Sequence, residues 1–154
     1  MRDMLQSYYE HVKENPETLI SRIFGLHRVK QANTKKYIYF VVMGNVFPPN
    51  RDIHQVFDLK GSTFGRFTNP EESKNNPSCV LKDLNWIQQE QKICLGPIKE
   101  KLLKTQLEKD IAFCEKENIM DYSLLIGIHD LKKGNTETFR GKSLIVLDVF
   151  LINK

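Results

Sequence analysis

Leu5, Tyr8, Tyr9 and Val12 recur at helical spacing and predict a helix at the start of the chain. Asn15-Pro16 offers a cap and a first-turn proline, which predicts a second short helix through Leu19, Ile20 and Phe24. His27–Lys30 and Tyr37–Met43 are β-rich runs separated by the polar segment 31–36, so they read as a hairpin whose second strand is well buried. Gly44-Asn45 breaks that strand, Pro48-Pro49-Asn50 forms a loop, and Ile53–Leu59 returns as a strand with Asp58 and Lys60 at its end. The polar run Thr68–Ser78, with Pro70 and Pro77, reads as a surface loop. Gly96-Pro97 opens the clearest helix, with Ile98, Leu102, Leu103, Leu107 and Ile111 as its apolar stripe, expected to pack directly behind Asp121. Ile119–His129 gives a loop and a strand, and Leu144–Ile152 another strand around Asp148. The pattern is α/β, more strictly α+β, without internal repeats.

Composition narrows the classes. With 154 residues and 40% hydrophobic content, the chain is long enough for one domain with a real core. Its net charge of +4 and pI of 8.9 suit an anionic partner but fall short of the concentrated basic stripe of a nucleic-acid-binding domain. Cys79, Cys94 and Cys114 are odd in number and lack C-x-x-C spacing, which fits reduced thiols in an intracellular compartment. No run approaches the roughly 20 apolar residues needed to span a bilayer, so the expected membrane contact is peripheral. His11, His27, His54 and His129 share no carboxylate-backed spacing and receive no role.

Two strings carry chemistry. Ile119-Met120-Asp121-Tyr122-Ser123-Leu124-Leu125 sets one carboxylate among apolar residues at the mouth of a strand, where it can orient or deprotonate a hydroxyl; an Asp capping a turn near Asn118 is the alternative. In Asp58-Leu59-Lys60-Gly61-Ser62, period-two geometry puts Asp58 and Lys60 on one side of a strand. Alone they would be an ordinary surface pair. With Gly61, Ser62 and Arg66 nearby they favour a phosphate site. Lys82 by itself would be a solvated lysine. Asp148 follows the apolar run Leu144-Ile145-Val146-Leu147.

These strings, with Lys82-Asp83-Leu84-Asn85-Trp86 between them and Phe47-Pro48-Pro49-Asn50-Arg51-Asp52-Ile53-His54 before them, resemble the phosphatidylinositol phosphate kinases, most closely the fungal type of phosphatidylinositol 4-phosphate 5-kinase. The resemblance runs from about Tyr8 through Asp130. It implies a partial two-lobed kinase core, an antiparallel sheet with packed helices, without counterparts of the family's upstream glycine-rich loop and ATP-binding lysine or of its downstream activation loop. Residues 141–154 depart from the family pattern and read as a divergent tail.

The implied reaction is transfer of the γ-phosphate of ATP to the inositol 5-hydroxyl of phosphatidylinositol 4-phosphate. Asp121 would be the catalytic carboxylate, with Lys60 at the ATP phosphates or transferred group and Asp58 beside it. Arg66 and Lys82 would bind the lipid headgroup. Val42–Phe47 would be the hinge between lobes, with Val46 among the residues offering backbone to adenine, and Asp148 would bind Mg2+. A basic face around Arg28, Lys30, Lys35 and Lys36 would meet an anionic phosphoinositide membrane. The expected location is cytoplasmic and peripheral at the plasma membrane, with a homodimer or pairing with another kinase chain covering open sheet edges. The rival reading is a catalytically inactive phosphoinositide-binding or regulatory module. An ordinary protein kinase is disfavoured, because no His-Arg-Asp loop with a downstream Asn surrounds Asp121.

Overall fold

The computed structural model describes residues 2–31, 36–76, 79–135 and 145–151. A short 3-10 turn, Arg2–Met4, leads into helix α1 (Leu5–Glu14). Strands β1 (Ile23–Lys30) and β2 (Tyr37–Met43) pair antiparallel as a separate two-stranded ribbon. Strand β3 (Gln55–Leu59), helix α2 (Pro70–Asn75), strand β4 (Val80–Leu81), helix α3 (Asp83–Gln88), helix α4 (Gly96–Lys116), strand β5 (Tyr122–Ile128) and strand β6 (Ile145–Leu151) follow. The second sheet has the order β4-β3-β5-β6; β3 and β4 run parallel and the other pairs antiparallel, so the fold is α+β with one mixed sheet.

Two apolar clusters hold the chain together. Met4, Tyr8 and Ile20 pack with Phe113, Cys114 and Ile119, which clamps α1 and the segment after it onto α4. Phe57, Leu81 and Ile126 form the second cluster inside the mixed sheet, closed by Trp86 edge-on to Phe57. Between the helices lies Asp110, 1% exposed. Its carboxylate takes hydrogen bonds from Thr18 Oγ1 (2.5 Å), Leu19 N (2.9 Å) and Gln106 Nε2 (2.9 Å), and pairs with His11 Nε2 at 2.7 Å. A carboxylate this deep is tolerable because four partners share its charge.

The same carboxylate explains a departure from the local pattern. Asn15-Pro16 does not start a second helix; Asn15 instead ends α1, giving both its N–H and its Nδ2 to His11 O. The chain then turns so that Thr18 and Leu19 reach Asp110, and this tertiary demand overrides a short helical preference. The buried side of α4 differs too. Asp110, Phe113 and Cys114 are inside, whereas Ile98 is 76% and Leu102 65% exposed.

Strand β2 is not well buried. Tyr37, Ile38, Tyr39, Phe40 and Val42 are 43–65% exposed, because an isolated two-stranded ribbon has no layer on either face among the described residues. Thr68–Ser78 is more than a loop. Asn69 caps α2 by accepting from Glu71 N at 3.0 Å, Pro70 stands in its first turn, and Thr68 is buried. Residues 77 and 78 of that run lie outside the described residues, as do Lys35, 141–144 and 152–154; of 145–151 the backbone of β6 is described.

Candidate active site

The site is built by the β3–β5 pair. Leu59 stands opposite Leu124, so Lys60 leaves β3 beside the loop that carries Asp121, and an ion pair joins Lys60 Nζ to Asp121 Oδ1 across 61 residues of sequence. Lys60 is 22% and Asp121 47% exposed, which leaves the pair at a mouth open to ligands. A cavity of about 260 Å³ runs behind it, walled by Leu59, Leu107, Ile111, Tyr122 and Leu124. Helix α4 therefore does stand behind the Asp121 loop.

Asp121 owes its place to the end of α4. The helix closes with Ile119 N bonded to Cys114 O (2.9 Å) and Asn118 N to Glu115 O (3.0 Å), with Asn118 in the left-handed region at φ 51°. That is the Schellman arrangement, here with Asn where Gly is usual. Asp121 is left-handed as well, at φ 67°, immediately before β5. Asp and Asn tolerate this conformation better than most side chains, and strained backbone of this kind concentrates at functional sites.

The turn bearing Lys60 is held by Asp83, the first residue of α3. Its Oδ1 accepts from Lys60 N (3.0 Å) and Gly61 N (2.9 Å), and its Oδ2 from Arg66 Nε (2.8 Å). Gly61 sits at φ +68°, which suits glycine. Burial works against the Asp83 charge, but the hydrogen bonds from Arg66 and from the Lys60 and Gly61 amides outweigh it and hold the carboxyl below the usual carboxylate range. Burial likewise opposes the Arg66 charge, and Asp83 and Asp58 more than offset it, raising the guanidinium further.

Asp58 and Lys60 are not partners. Lys60 turns to Asp121, while Asp58 meets Arg66 Nη2 at 3.5 Å through its carboxylate and again through its carbonyl oxygen. Arg66 thus has two of its nitrogens engaged inside the protein. Asp58 Oδ1 is buried with no hydrogen bond among the described residues.

Lys82 follows β4, one residue beyond the Phe57–Leu81 register, and its N–H bonds Asn85 Oδ1 at 3.1 Å. Asn85 also accepts from Thr68 N and donates to Thr68 O, both at 2.9 Å. Val46 lies on the connection from β2 to β3, between the two sheets. The backbone of Asp148 stands opposite Leu125, which itself stands opposite Asp58, so two aspartates flank β5 in one row. Among the described residues no three His, Cys, Asp or Glu side chains gather into a metal cage.

Sequence reasoning assigned roles to the lysines and missed the groups that hold them. Asp83 and Asn85 stood inside a quoted string without a task; an Asp and an Asn opening a helix directly after a strand were the available signal. His11 and Asp110, 99 residues apart, left none.

A family model described as Phosphatidylinositol-4-phosphate 5-Kinase matches residues 1–148. The chain is 51% identical over 148 residues to phosphatidylinositol 4-phosphate 5-kinase its3 of Schizosaccharomyces pombe, covering 96% of this chain and 20% of that protein. It is 42% identical to phosphatidylinositol 4-phosphate 5-kinase 6 of Arabidopsis thaliana, over 82% of this chain and 17% of the relative. Identity is also 42% to the phosphatidylinositol 4-phosphate 5-kinase of Plasmodium falciparum, over 83% of this chain and 8% of the relative. The chain therefore spans a fifth or less of the length of these relatives. With the family model matching nearly its whole length, and with Lys60 and Asp121 meeting at one mouth, the chain belongs to the phosphatidylinositol-4-phosphate 5-kinase family.

Proposed function

We propose that this chain carries the phosphoryl-transfer mouth of a phosphatidylinositol phosphate kinase, which moves the γ-phosphate of ATP to the inositol 5-hydroxyl of phosphatidylinositol 4-phosphate. The observation that carries the reading is the Lys60–Asp121 pair, assembled by β3 and β5 beside an Asp83-held turn. Phosphoryl transfer asks a protein mainly for in-line positioning and charge stabilisation. Asp121 accepts the hydrogen bond of the attacking hydroxyl and aligns it. The Lys60 ammonium has three donors, so it can hold Asp121 and a phosphoryl oxygen together. Arg66 offers its remaining edge, and Lys82 its ammonium, to the headgroup phosphates. Backbone around Val46, on the link between the ribbon and the mixed sheet as two lobes, receives adenine.

Mg2+ takes oxygen donors and commonly uses one or two carboxylates plus substrate phosphates rather than a full protein cage. Asp58 Oδ1, buried and without a hydrogen bond among the described residues, fits such a donor set, and we favour Asp148, whose backbone stands in one row with Asp58 across Leu125, as the ligand. When bound, the ion would neutralise charge on the nucleotide phosphates.

No helix among the described residues is long and apolar enough to cross a membrane. The ribbon carries Arg28 4.5 Å over the Tyr37 ring, with Lys30 paired opposite Tyr37, a cationic and aromatic edge of the kind that meets anionic lipid headgroups at the cytoplasmic face of the plasma membrane.

The test is radiolabelled phosphate transfer from ATP to vesicles containing phosphatidylinositol 4-phosphate. Labelled lipid is expected, falling roughly 100-fold or more with Asp121→Asn. Vesicle binding without transfer would instead make the chain a phosphoinositide-binding module.

A further inference from the structure

Asp83 reaches the phosphate side and the headgroup side of the mouth at once. It follows Lys82 in the chain, opens α3, and accepts both amides of the Lys60-Gly61 turn while holding Arg66 Nε. Three donors from two separate segments converge on one carboxylate that is itself buried. Lys60 has a long, flexible side chain, and its ammonium reaches Asp121 with a useful alignment when the backbone beneath it is fixed. Arg66 is restricted in the same way: with Nε on Asp83 and Nη2 on Asp58, its plane is set.

We propose that Asp83 is a positioning residue for phosphoryl transfer, locking Lys60 and Arg66 into one register with Lys82 without touching the reactants. The proposal rests on reading the Lys60–Asp121 mouth as a phosphoryl-transfer site. Asp83→Ala leaves the Lys60 and Gly61 amides and the guanidinium without their shared acceptor, so the Lys60 ammonium is no longer presented to the nucleotide phosphates. Asp83→Asn keeps an oxygen for the two amides and loses the charge facing Arg66.

The probe is Mg-ATP, titrated calorimetrically into the purified chain, with backbone amide shifts of Lys60 and Gly61 followed by NMR and the folded fraction checked by circular dichroism. His11→Ala serves as the stability control, because it removes a buried bond to Asp110 between α1 and α4 without touching the Lys60 turn, Arg66 or Lys82. Asp83→Ala is expected to weaken Mg-ATP binding about tenfold or more, which equals about 1.4 kcal/mol, and to move both amides. Asp83→Asn should recover most of the affinity, and His11→Ala should melt earlier while binding as the wild type does. Wild-type affinity in folded Asp83→Ala, or equal losses in Asp83→Ala and His11→Ala, would overturn the positioning role alone. Absence of Mg-ATP binding by the wild-type chain would overturn the phosphoryl-transfer reading and this proposal with it.

Discussion

Replacing Asp110 with alanine removes the acceptor shared by His11, Thr18, Leu19 and Gln106. Those donors come from α1, from the turn after it and from α4 itself, so no single neighbour can move in to replace the lost oxygens. His11 and Thr18 are buried, and water reaches them poorly. Each buried donor left without its acceptor costs about 1–3 kcal/mol, and with several losing the same acceptor and staying desolvated the total is about 3–5 kcal/mol. For a chain of this size each kcal/mol shifts the melting midpoint by about 2–4 °C. The product is a fall of about 6–20 °C in Asp110→Ala, measured by circular dichroism at 222 nm, with urea unfolding to confirm an unchanged m-value. Asp110→Asn keeps one acceptor and should fall between the two. His11→Ala and Asp110→Ala combined should lose less than the sum of the single changes, since they share one interaction. A destabilisation below about 1 kcal/mol in Asp110→Ala would refute the claim that this carboxylate clamps α1 to α4.

Two further outcomes follow from the titrating groups. Asp83 has its folded pKa below the unfolded value, so its stabilising contribution is complete above about pH 4 and is lost as pH falls through the folded pKa. An acid titration of stability should therefore lose slope in Asp83→Asn relative to the wild type, and an identical acid limb would count against the bonds described. Cys114 is buried, and burial followed by the nearby Asp110 charge pushes its thiol up to about 11. Iodoacetamide at pH 8 should alkylate the exposed Cys94 and spare Cys114 until the protein is unfolded, as read by mass spectrometry.

How much of this the chain declares in advance depends on the range of the forces involved. Helix α4 was legible because Gly96-Pro97 and a long periodic stretch are local signals. The strands leading to Lys60 and away from Asp121 were legible for the same reason. The buried face of α4 was not, because Asp110 breaks the apolar stripe yet lies innermost, and only the distant His11 and Thr18 make that tolerable. The exposure of β2 was equally hidden: Tyr37-Ile38-Tyr39-Phe40-Val41-Val42 has the composition of a covered strand whether or not a layer lies over it. The pairing of Lys60 with Asp121 rather than Asp58 is set by a turn held from α3, a contact of |i−j| 23 that no window along the sequence contains.

Leu124 packs into both apolar clusters, with Tyr122 beside it on the helical side and Ile126 on the sheet side. The two cores consequently share a wall, and that wall is β5. Neither can melt by itself without exposing a face of the strand the other needs, so the chain should unfold as one cooperative unit in which β5 opens last. Slow amide exchange along Tyr122–Ile128, matching the global unfolding free energy, would be the kinetic signature of that shared wall, and it would make the strand that follows Asp121 the most persistent part of the molecule.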